Sequence, residues 1–371
     1  MEILGKVSVF GDIETDSIQA AIKQLSEFID GQDNIVKAAI MPDAHKGYSV
    51  PIGSVFASDG VIYPSAVGYD IGCGMIAIPT TFNTEDIRSN SKKIFESIYR
   101  AIPVGFNHNQ KETEWVSKDI PLTYKMQEIF AKNGLRQLGS LGGGNHFIEI
   151  GVDVDGVVWI IIHSGSRGIG HAAATHYMRL ASGDGKAREG HFGFDVNSQD
   201  GKDYITDLNF CLEFALENRK EMMRRIEREI SHYCVGSASW EFLINRNHNH
   251  AELKDGMWIH RKGATHAEES MMGVIPGNMR DGSFIVMGKG NPDSLWSSSH
   301  GAGRVLGRKE AKRVLNMDQF ADSMIGVVAR ITDDTLDESP FAYKNIFDVM
   351  EQQKDLVEVI AHVLPIINIK G

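Results

Sequence analysis

Apolar positions recur at helical spacing in two stretches of this chain. Over residues 17–30, "SIQAAIKQLSEFID", Ile18, Ala21, Ile22, Leu25, Phe28 and Ile29 fall on one side. Thr15, Asp16 or Ser17 caps the start and Gly31 ends the run. Over residues 208–230, Leu208, Leu212, Ala215, Met222, Ile226 and Ile230 form a second stripe. Its basic residues, Arg219, Lys220, Arg224, Arg225 and Arg228, are interleaved with glutamate, which favours a solvated face over phosphate contact by about three to one. Elsewhere strand-like runs alternate with Asp-Gly turns: "VPIGSVFASDGVIYP", "FIEIGVDVDGVVWIIIH", "HAELKDGMWIH" and "MRDGSFIVMG". Helices and strands mix without a regular βαβ rhythm. The pattern therefore predicts an α+β fold, a single large domain over residues 1–371 with mixed β-sheets and surrounding helices.

Two hairpins carry the first chemical inference. A two-residue turn at Asp155-Gly156 pairs residue 154 with 157 and sets His163 opposite Ile148. His163 then shares a face with His146, about 7 Å away at the Cα level. A turn at Asp255-Gly256 likewise pairs Asn249 with Lys262 and His248 with Gly263, so that "RNHNHAEL" meets "HRKGAT". A bulge would break either register. "YDIGCG" adds Asp70 and Cys73. Carboxylate, thiolate and imidazole together make a transition-metal set rather than a magnesium set. A lone cysteine is ordinarily buried and inert. What separates these candidates is that each stands near Gly, Asn or Ser at the end of an apolar run. "PDAHKGYSVPIG" contributes Asp43 and His45, which either orient neighbours or make a turn. In "SSSHGAGR", His300 precedes Gly301, Ala302 and Gly303, small residues that admit a bulky phosphate ligand.

Composition narrows the classes. The net charge of −11 provides no overall basic field, which argues against a nucleic-acid coat but not against a nucleic-acid end held in one pocket. The N-terminus lacks a secretory pattern and no apolar run is long enough to cross a membrane, so a cytoplasmic protein is expected. Three scattered cysteines make no disulfide frame. "GGGNHF" is not followed by a helical pattern or a ribose-binding acid, no GxxxxGK[ST] loop is present, and "HSGSRG" lacks the wider nucleophile-elbow pattern.

Taken together, these stretches resemble the RtcB family of RNA ligases over nearly the whole chain. The resemblance rests on "MPDAHKGYSVPIG", "VGYDIGCG", "LGGGNHFIEI", "IIHSGSRGIGH", "NHNHAEL", "HRKGAT", "IPGNM", "SSSHGAGRVLGR" and "IKG", which stand in the family's order. It implies a ligase that uses GTP as co-substrate and two Mn²⁺ ions, with GMP carried on His300. It implies metal ligation by Asp70, Cys73, His146, His163 and His248, the Cys73 thiolate being shared. The guanylate would be held by Asn145, His146, Phe147, Ile148, Glu149, His248, Asn249, Pro276, Gly277, Asn278, Met279, Ser283, His300, Gly301, Ala302, Gly303, Tyr343 and Lys370. The implied partner is RNA: a 3′-phosphate or 2′,3′-cyclic phosphate end is joined to a 5′-hydroxyl through RNA(3′)pp(5′)G, in RNA repair or tRNA splicing. Arg167, Arg261, Lys262 and Arg304 are the candidate clamps for an RNA phosphate. Any activating protein partner is left undefined.

The chain departs from the family pattern in three places. Asn278-Met279-Arg280 replaces the usual Ser-Met-Gly, Gly72 replaces the asparagine of "DINCG", and Ser299 stands where a cysteine is frequent. These bear on the guanine pocket and the preferred RNA end. Two rival readings are a two-metal phosphohydrolase without ligation and a non-catalytic RNA-end binder. Intact His300 and Lys370 argue against the first, and five ligand candidates beside an intact nucleophile argue against the second.

Overall fold

A computed structural model describes residues 1–115, 120–187 and 190–371. One sheet has six strands in the spatial order Glu2–Leu4, Val7–Val9, Ile35–His45, Ile52–Ser58, Met257–Lys262, Asn249–Lys254. Its second and third strands run parallel and its other neighbours antiparallel. The other sheet has seven strands in the order Ile244–Asn247, Gly74–Pro79, Val158–Ser164, Phe147–Val152, Val357–Lys370, Ser283–Gly288, Met272–Pro276, all antiparallel. This is the α+β arrangement the pattern predicts. Among the described residues no helix is long and apolar enough to cross a membrane.

The first helix runs Asp16–Ile29 and buries Ile18, Ala21, Leu25 and Phe28 against Val9, Ile40 and Phe56 of the six-stranded sheet. The seven-stranded sheet is covered on one face by helices Thr84–Ala101 and Gln199–Ser231. Met222, Met223, Ile226 and Ile230 pack there on Ile148, Ile150, Ile160 and Ile162. Side chains alternate along a strand, so the odd positions Phe147 and Ile161 turn to the other face and join Met75 and Val363. Glu149 and His163 share that second face, which is where the site forms.

Two expectations are corrected. The long helix begins at Gln199 rather than near 208, with Ser198 Oγ accepting the Gly201 amide at 3.0 Å. Its first turn is polar and contains a glycine, so the apolar stripe starts only at Tyr204; a Cβ at Gly201 would meet the Asp195 carbonyl oxygen at 2.1 Å. The 153–157 hairpin has a three-residue turn, Val154-Asp155-Gly156, closed by the Asp153–Val157 hydrogen bond. Only Gly156 of the three takes positive φ, at +82°, whereas a two-residue type I′ turn needs both central residues there. His163 therefore faces Phe147, not Ile148. The second hairpin keeps the expected register: Asp255 and Gly256 have φ of +50° and +81°, and Asn249 lies opposite Lys262.

Candidate active site

Register gathers the chemistry at one edge of the seven-stranded sheet. Asn247 pairs with Gly74, Gly74 with Ser164, His163 with Phe147, and Phe147 with Lys370. Cys73 directly precedes the strand Gly74–Pro79, and His146 directly precedes Phe147–Val152. His248 is the one residue between strand Ile244–Asn247 of this sheet and strand Asn249–Lys254 of the other. Cys73 Sγ lies 3.3 Å from His146 Nε2 and 3.1 Å from His163 Nε2. His146 Nε2 is 3.0 Å from Asp70 Oδ2, and His163 Nε2 is 3.2 Å from His248 Nε2. Loop placement frees His146 from strand alternation, so its ring still stands 5.0 Å from that of His163 despite the changed register.

The protonation pattern fits a metal. His146 Nδ1 donates to the Leu141 carbonyl at 2.9 Å, and His163 Nδ1 donates to the Asn145 carbonyl at 3.2 Å. A neutral imidazole that has spent its proton on Nδ1 presents a bare lone pair at Nε2. Two such lone pairs converge on one sulfur, and one of them faces a carboxylate oxygen. The thiol offers a single proton and the carboxylate none, so only added positive charge satisfies the group. His248 Nδ1 is buried without a partner among the described residues. Burial, reinforced by neighbouring imidazoles, pushes His163 and His248 well below the usual histidine range. Burial and then the Asp70 charge push the Cys73 thiol well up. Neutral imidazoles, a carboxylate and a thiol that ionises only against a cation make a metal donor set.

Beneath this cluster lies a residue whose placement overturns its reading as a surface cation. Arg219 is fully buried. Its guanidinium donates to the carbonyls of Gly72 and Ser164, both at 2.8 Å, to Asn245 Oδ1 at 2.7 Å and to Asn247 Oδ1 at 2.6 Å. It ties together the three strand ends that carry Cys73, His163 and His248. Its neighbour Asn218 receives the amides of Gly139 and Ser140 and donates to the Ser140 and Gly165 carbonyls. Arg224 and Arg225, in contrast, pair with glutamates on their own helix.

His300 follows the short strand Ser297–Ser299, which pairs with Ala264–His266. Its Nδ1 lies 2.6 Å from Asp43 Oδ2, and Asp43 is fully buried. The carboxylate accepts a hydrogen bond from Nδ1–H and so leaves Nε2 as the reactive nitrogen. The His300 ring stands 4.8 Å from that of His248. Gly303 is required by the backbone, since it has φ of +75° and a Cβ there would meet the Asp43 carbonyl oxygen at 2.1 Å.

His300 opens onto a cavity of about 270 Å³. Of the anticipated residues, Asn145, Phe147, Glu149, His163, Pro276 to Met279, His300 to Arg304, Tyr343 and Lys370 line it. Ile148 does not: it occupies an even strand position and packs against the helices. His146, His248, Asn249 and Ser283 lie outside the lining; Asn249 instead braces the cluster, accepting the Gly263 amide and donating to the Asp70 carbonyl. Arg280 stays beside Asp281, which takes its guanidinium at 2.6 and 2.9 Å. Glu149 is buried, and burial pushes its carboxyl up to about 8. Glu149 Oε1, Ser283 Oγ and Asn368 Oδ1 are all buried, and none makes a hydrogen bond of good geometry among the described residues.

The four candidate phosphate clamps diverge. Arg304 lines the cavity, bound to Glu338 and to the Asp337 carbonyl. Arg167 donates to Ser140 Oγ and the Gly105 carbonyl beside the cysteine–histidine cluster. Lys262 reaches the Ser65 carbonyl at 3.1 Å. Arg261 is fully buried, its guanidinium held by Ser297, His250, Glu252 and the Leu295 carbonyl, so it presents no face to a phosphate. It belongs to a second cluster of His250, Glu252 and His266 with Glu268. Sequence reasoning missed His45, Ile52, Arg308 and Asn368 as lining residues. It also missed Glu338, which binds Arg304, Arg308, Tyr343 and Lys370.

Comparison with known proteins accords with this geometry. The family model for tRNA-splicing ligase RtcB matches residues 24–371. The RNA-splicing ligase RtcB of Escherichia coli K12 is 35% identical over 366 residues, covering 90% of each chain. The tRNA-splicing ligase RtcB of Pyrobaculum aerophilum is 29% identical and covers 90% of this chain and 87% of its own. The RNA-splicing ligase RtcB of Mycobacterium tuberculosis is also 29% identical, covering 91% of this chain and 98% of its own. A match of this length, over a chain that folds the cysteine, the histidines and the glycine-flanked His300 to one edge, makes this protein a member of the RtcB family of RNA ligases.

Proposed function

We propose that the chain is a GTP-dependent ligase that carries GMP on His300 and joins an RNA 3′-phosphate or 2′,3′-cyclic phosphate end to a 5′-hydroxyl. We take residues 1–371 as one domain acting in the cytoplasm, where its three free cysteines stay reduced. The observation that carries the reading is the His300 ring, pinned through Nδ1 by Asp43 at 2.6 Å, with the cavity open to its other side. Nε2 attacks the α-phosphorus of GTP; an N–P bond forms and pyrophosphate leaves. An oxygen of the RNA 3′-phosphate then takes the GMP, breaking the N–P bond and giving RNA(3′)pp(5′)G. The 5′-hydroxyl attacks the RNA phosphorus and GMP departs. A cyclic end is first opened by water.

Asp43 holds the His300 tautomer throughout. Glu149 and Asn368 line the cavity with buried polar atoms and are our assignment for reading the guanine edge, with Ser283 behind them. Glu338 positions Tyr343, Arg304 and Lys370 at the cavity wall. Asp70 with His146, and His163 with His248, are two donor pairs that share Cys73, and we assign them two divalent ions, Mn²⁺ in preference. Such ions neutralise phosphate charge and align an in-line displacement when bound.

The test is intact-mass measurement after incubation with GTP and Mn²⁺. One GMP should be gained through a bond that is labile in acid and persists in base, and ATP should load poorly. An equally efficient AMP adduct overturns the nucleotide assignment. His300→Ala should fail with GTP and 3′-phosphate RNA yet still seal RNA that already carries ppG. Joining of ordinary ends by His300→Ala at near wild-type rate overturns the nucleophile.

A further inference from the structure

Phe106 is fully exposed, at 100%. Its position is held, not loose. The Asn107 amide donates to the Val104 carbonyl at 3.2 Å, closing a tight turn whose first central residue, Gly105, has φ of +63°. That turn is fastened to the site. The Gly105 amide donates to the Gly142 carbonyl at 2.8 Å, and the Gly105 carbonyl receives the Arg167 guanidinium at 2.9 Å. Gly142 in turn touches the candidate metal ligands, since a Cβ there would come within 2.7 Å of His146 Nδ1. On the far side of the turn Asn109 is locked by the Arg136 and Leu138 carbonyls and by Arg225. An aromatic ring is thus presented to solvent one residue from a backbone that abuts the cluster.

The surface beside it carries two arginines that are already engaged, Arg167 with Ser140 Oγ and the Gly105 carbonyl and Arg308 with Asp337 and Glu338. A Cβ on Gly143 would meet only the Gly105 backbone, at 3.6 Å, and Gly144 lies against the half-exposed Arg308. Arg167, through the Gly105 carbonyl, and Arg308, against Gly144, border the glycine stretch beside this turn. A fully exposed apolar ring held beside a site that joins RNA ends suits an unpaired nucleobase, which stacks on it through its π-face. It suits a folded partner protein poorly, since a single protruding ring is not an apolar patch.

We propose that Phe106 is the stacking platform for the terminal nucleobase of one of the two RNA ends being joined. This rests on the reading of the neighbouring cavity as the site where those ends are joined. The test uses the full chain with GTP, Mn²⁺ and a pair of unstructured RNAs. One series carries an abasic terminal nucleotide on the 3′-phosphate strand, and another carries it on the 5′-hydroxyl strand. Phe106→Ala should raise the RNA KM about tenfold, within the range base–aromatic stacking supports, with kcat changed less than about twofold. Phe106→Trp should restore the KM. One abasic series should cost the wild type about tenfold and cost Phe106→Ala nothing further, and the strand that shows this is the one the ring holds. An unchanged KM in Phe106→Ala, a KM equally raised in Phe106→Trp, or abasic penalties of equal size in both proteins overturns the proposal. GMP loading of the wild type is measured in the same samples before RNA is added. Failed loading overturns the reading of the cavity, whereas normal loading with a KM indifferent to Phe106 overturns the stacking alone.

Discussion

His248 and His250 stand two residues apart on one stretch of chain, yet each belongs to a different cluster. The first gathers Cys73, His146, His163 and His248; the second gathers His250, Glu252 and His266 with Glu268. Ligand types and spacing make both look like metal sites. They differ in charge. In the second, Arg261 contacts His250 and Glu252, and Lys254 sits 2.9 Å from Glu268, so two cations already answer two carboxylates. Its two imidazoles stack with ring centroids 4.7 Å apart instead of converging on a point. In the first, lone pairs converge and, among the described residues, no guanidinium or ammonium bonds to the group; Arg219 and Arg167, both beside it, spend their donors on backbone carbonyls, asparagines and the Ser140 hydroxyl. A cluster of donors calls for a metal only where the protein has left its charge unanswered.

The largest expected effect tests that difference directly. Cys73→Ala should lose both divalent ions after dialysis, read by elemental analysis, and should fail to take up GMP. A His250→Asn/His266→Asn double variant should retain the wild-type metal content. Metal loss in the double variant breaks the comparison. Next in size is Arg261→Met, which leaves Glu252, Glu268 and the Ser297 hydroxyl without their buried cation. It should cost about 3–5 kcal/mol in urea unfolding, the scale for breaking a buried pair. A loss below about 1 kcal/mol would mean the cluster does not depend on its internal charge balance.

A smaller effect separates two buried carboxyls by pH. Among the described residues no cation bonds to Glu149, and burial raises it from 4.5 to about 8. The folded state then holds a proton the unfolded state releases, so this group's stability is complete below pH 4.5 and is lost as pH rises through about 8. For Glu268 burial acts upward too, but His266, Lys254 and Arg261 outweigh it and hold the carboxyl well below its usual 4.5. Its stability is present above pH 4.5 and lost as pH falls. Thermal melts across pH should show Glu149→Gln flattening the neutral limb and Glu268→Gln flattening the acid limb. Identical profiles for the two variants would contradict the assignment. The smallest change is Lys254→Met. Lys254 is partly exposed, so the loss should stay near or below about 1 kcal/mol.

Local pattern made some of this legible and concealed the rest for identifiable reasons. Asp255-Gly256 reads correctly because both residues adopt the positive φ that a two-residue turn demands. Asp155-Gly156 has the same letters but forms the second and third residues of a longer turn, and no local signal distinguishes the two. The ligands were legible as motifs because glycines and asparagines mark the strand ends that carry them. Arg219 was not: helical periodicity sets it among Arg224 and Arg225, and only the depth of the sheet edge against the helix decides that it is buried. Asp43 and Glu338 act on partners brought to them by the fold, His300 in one case and Arg304, Tyr343 and Lys370 in the other. Nothing in "PDAH" or "LDES" announces those partners.

The single residue between the two large sheets has a mechanical consequence. The chain leaves the seven-stranded sheet at Asn247 and enters the six-stranded sheet at Asn249, with His248 as the whole of the joint. Its amide donates to the Cys73 carbonyl at 2.7 Å and its carbonyl receives the Ala264 amide at 3.2 Å. A hinge needs slack, and here there is none. Neither sheet can swing against the other without dragging an imidazole out of the cluster. Whatever occupies the cluster is therefore coupled to the rigidity of both sheets at once, and filling or emptying it should register as amide-exchange protection in both, far beyond the residues it touches.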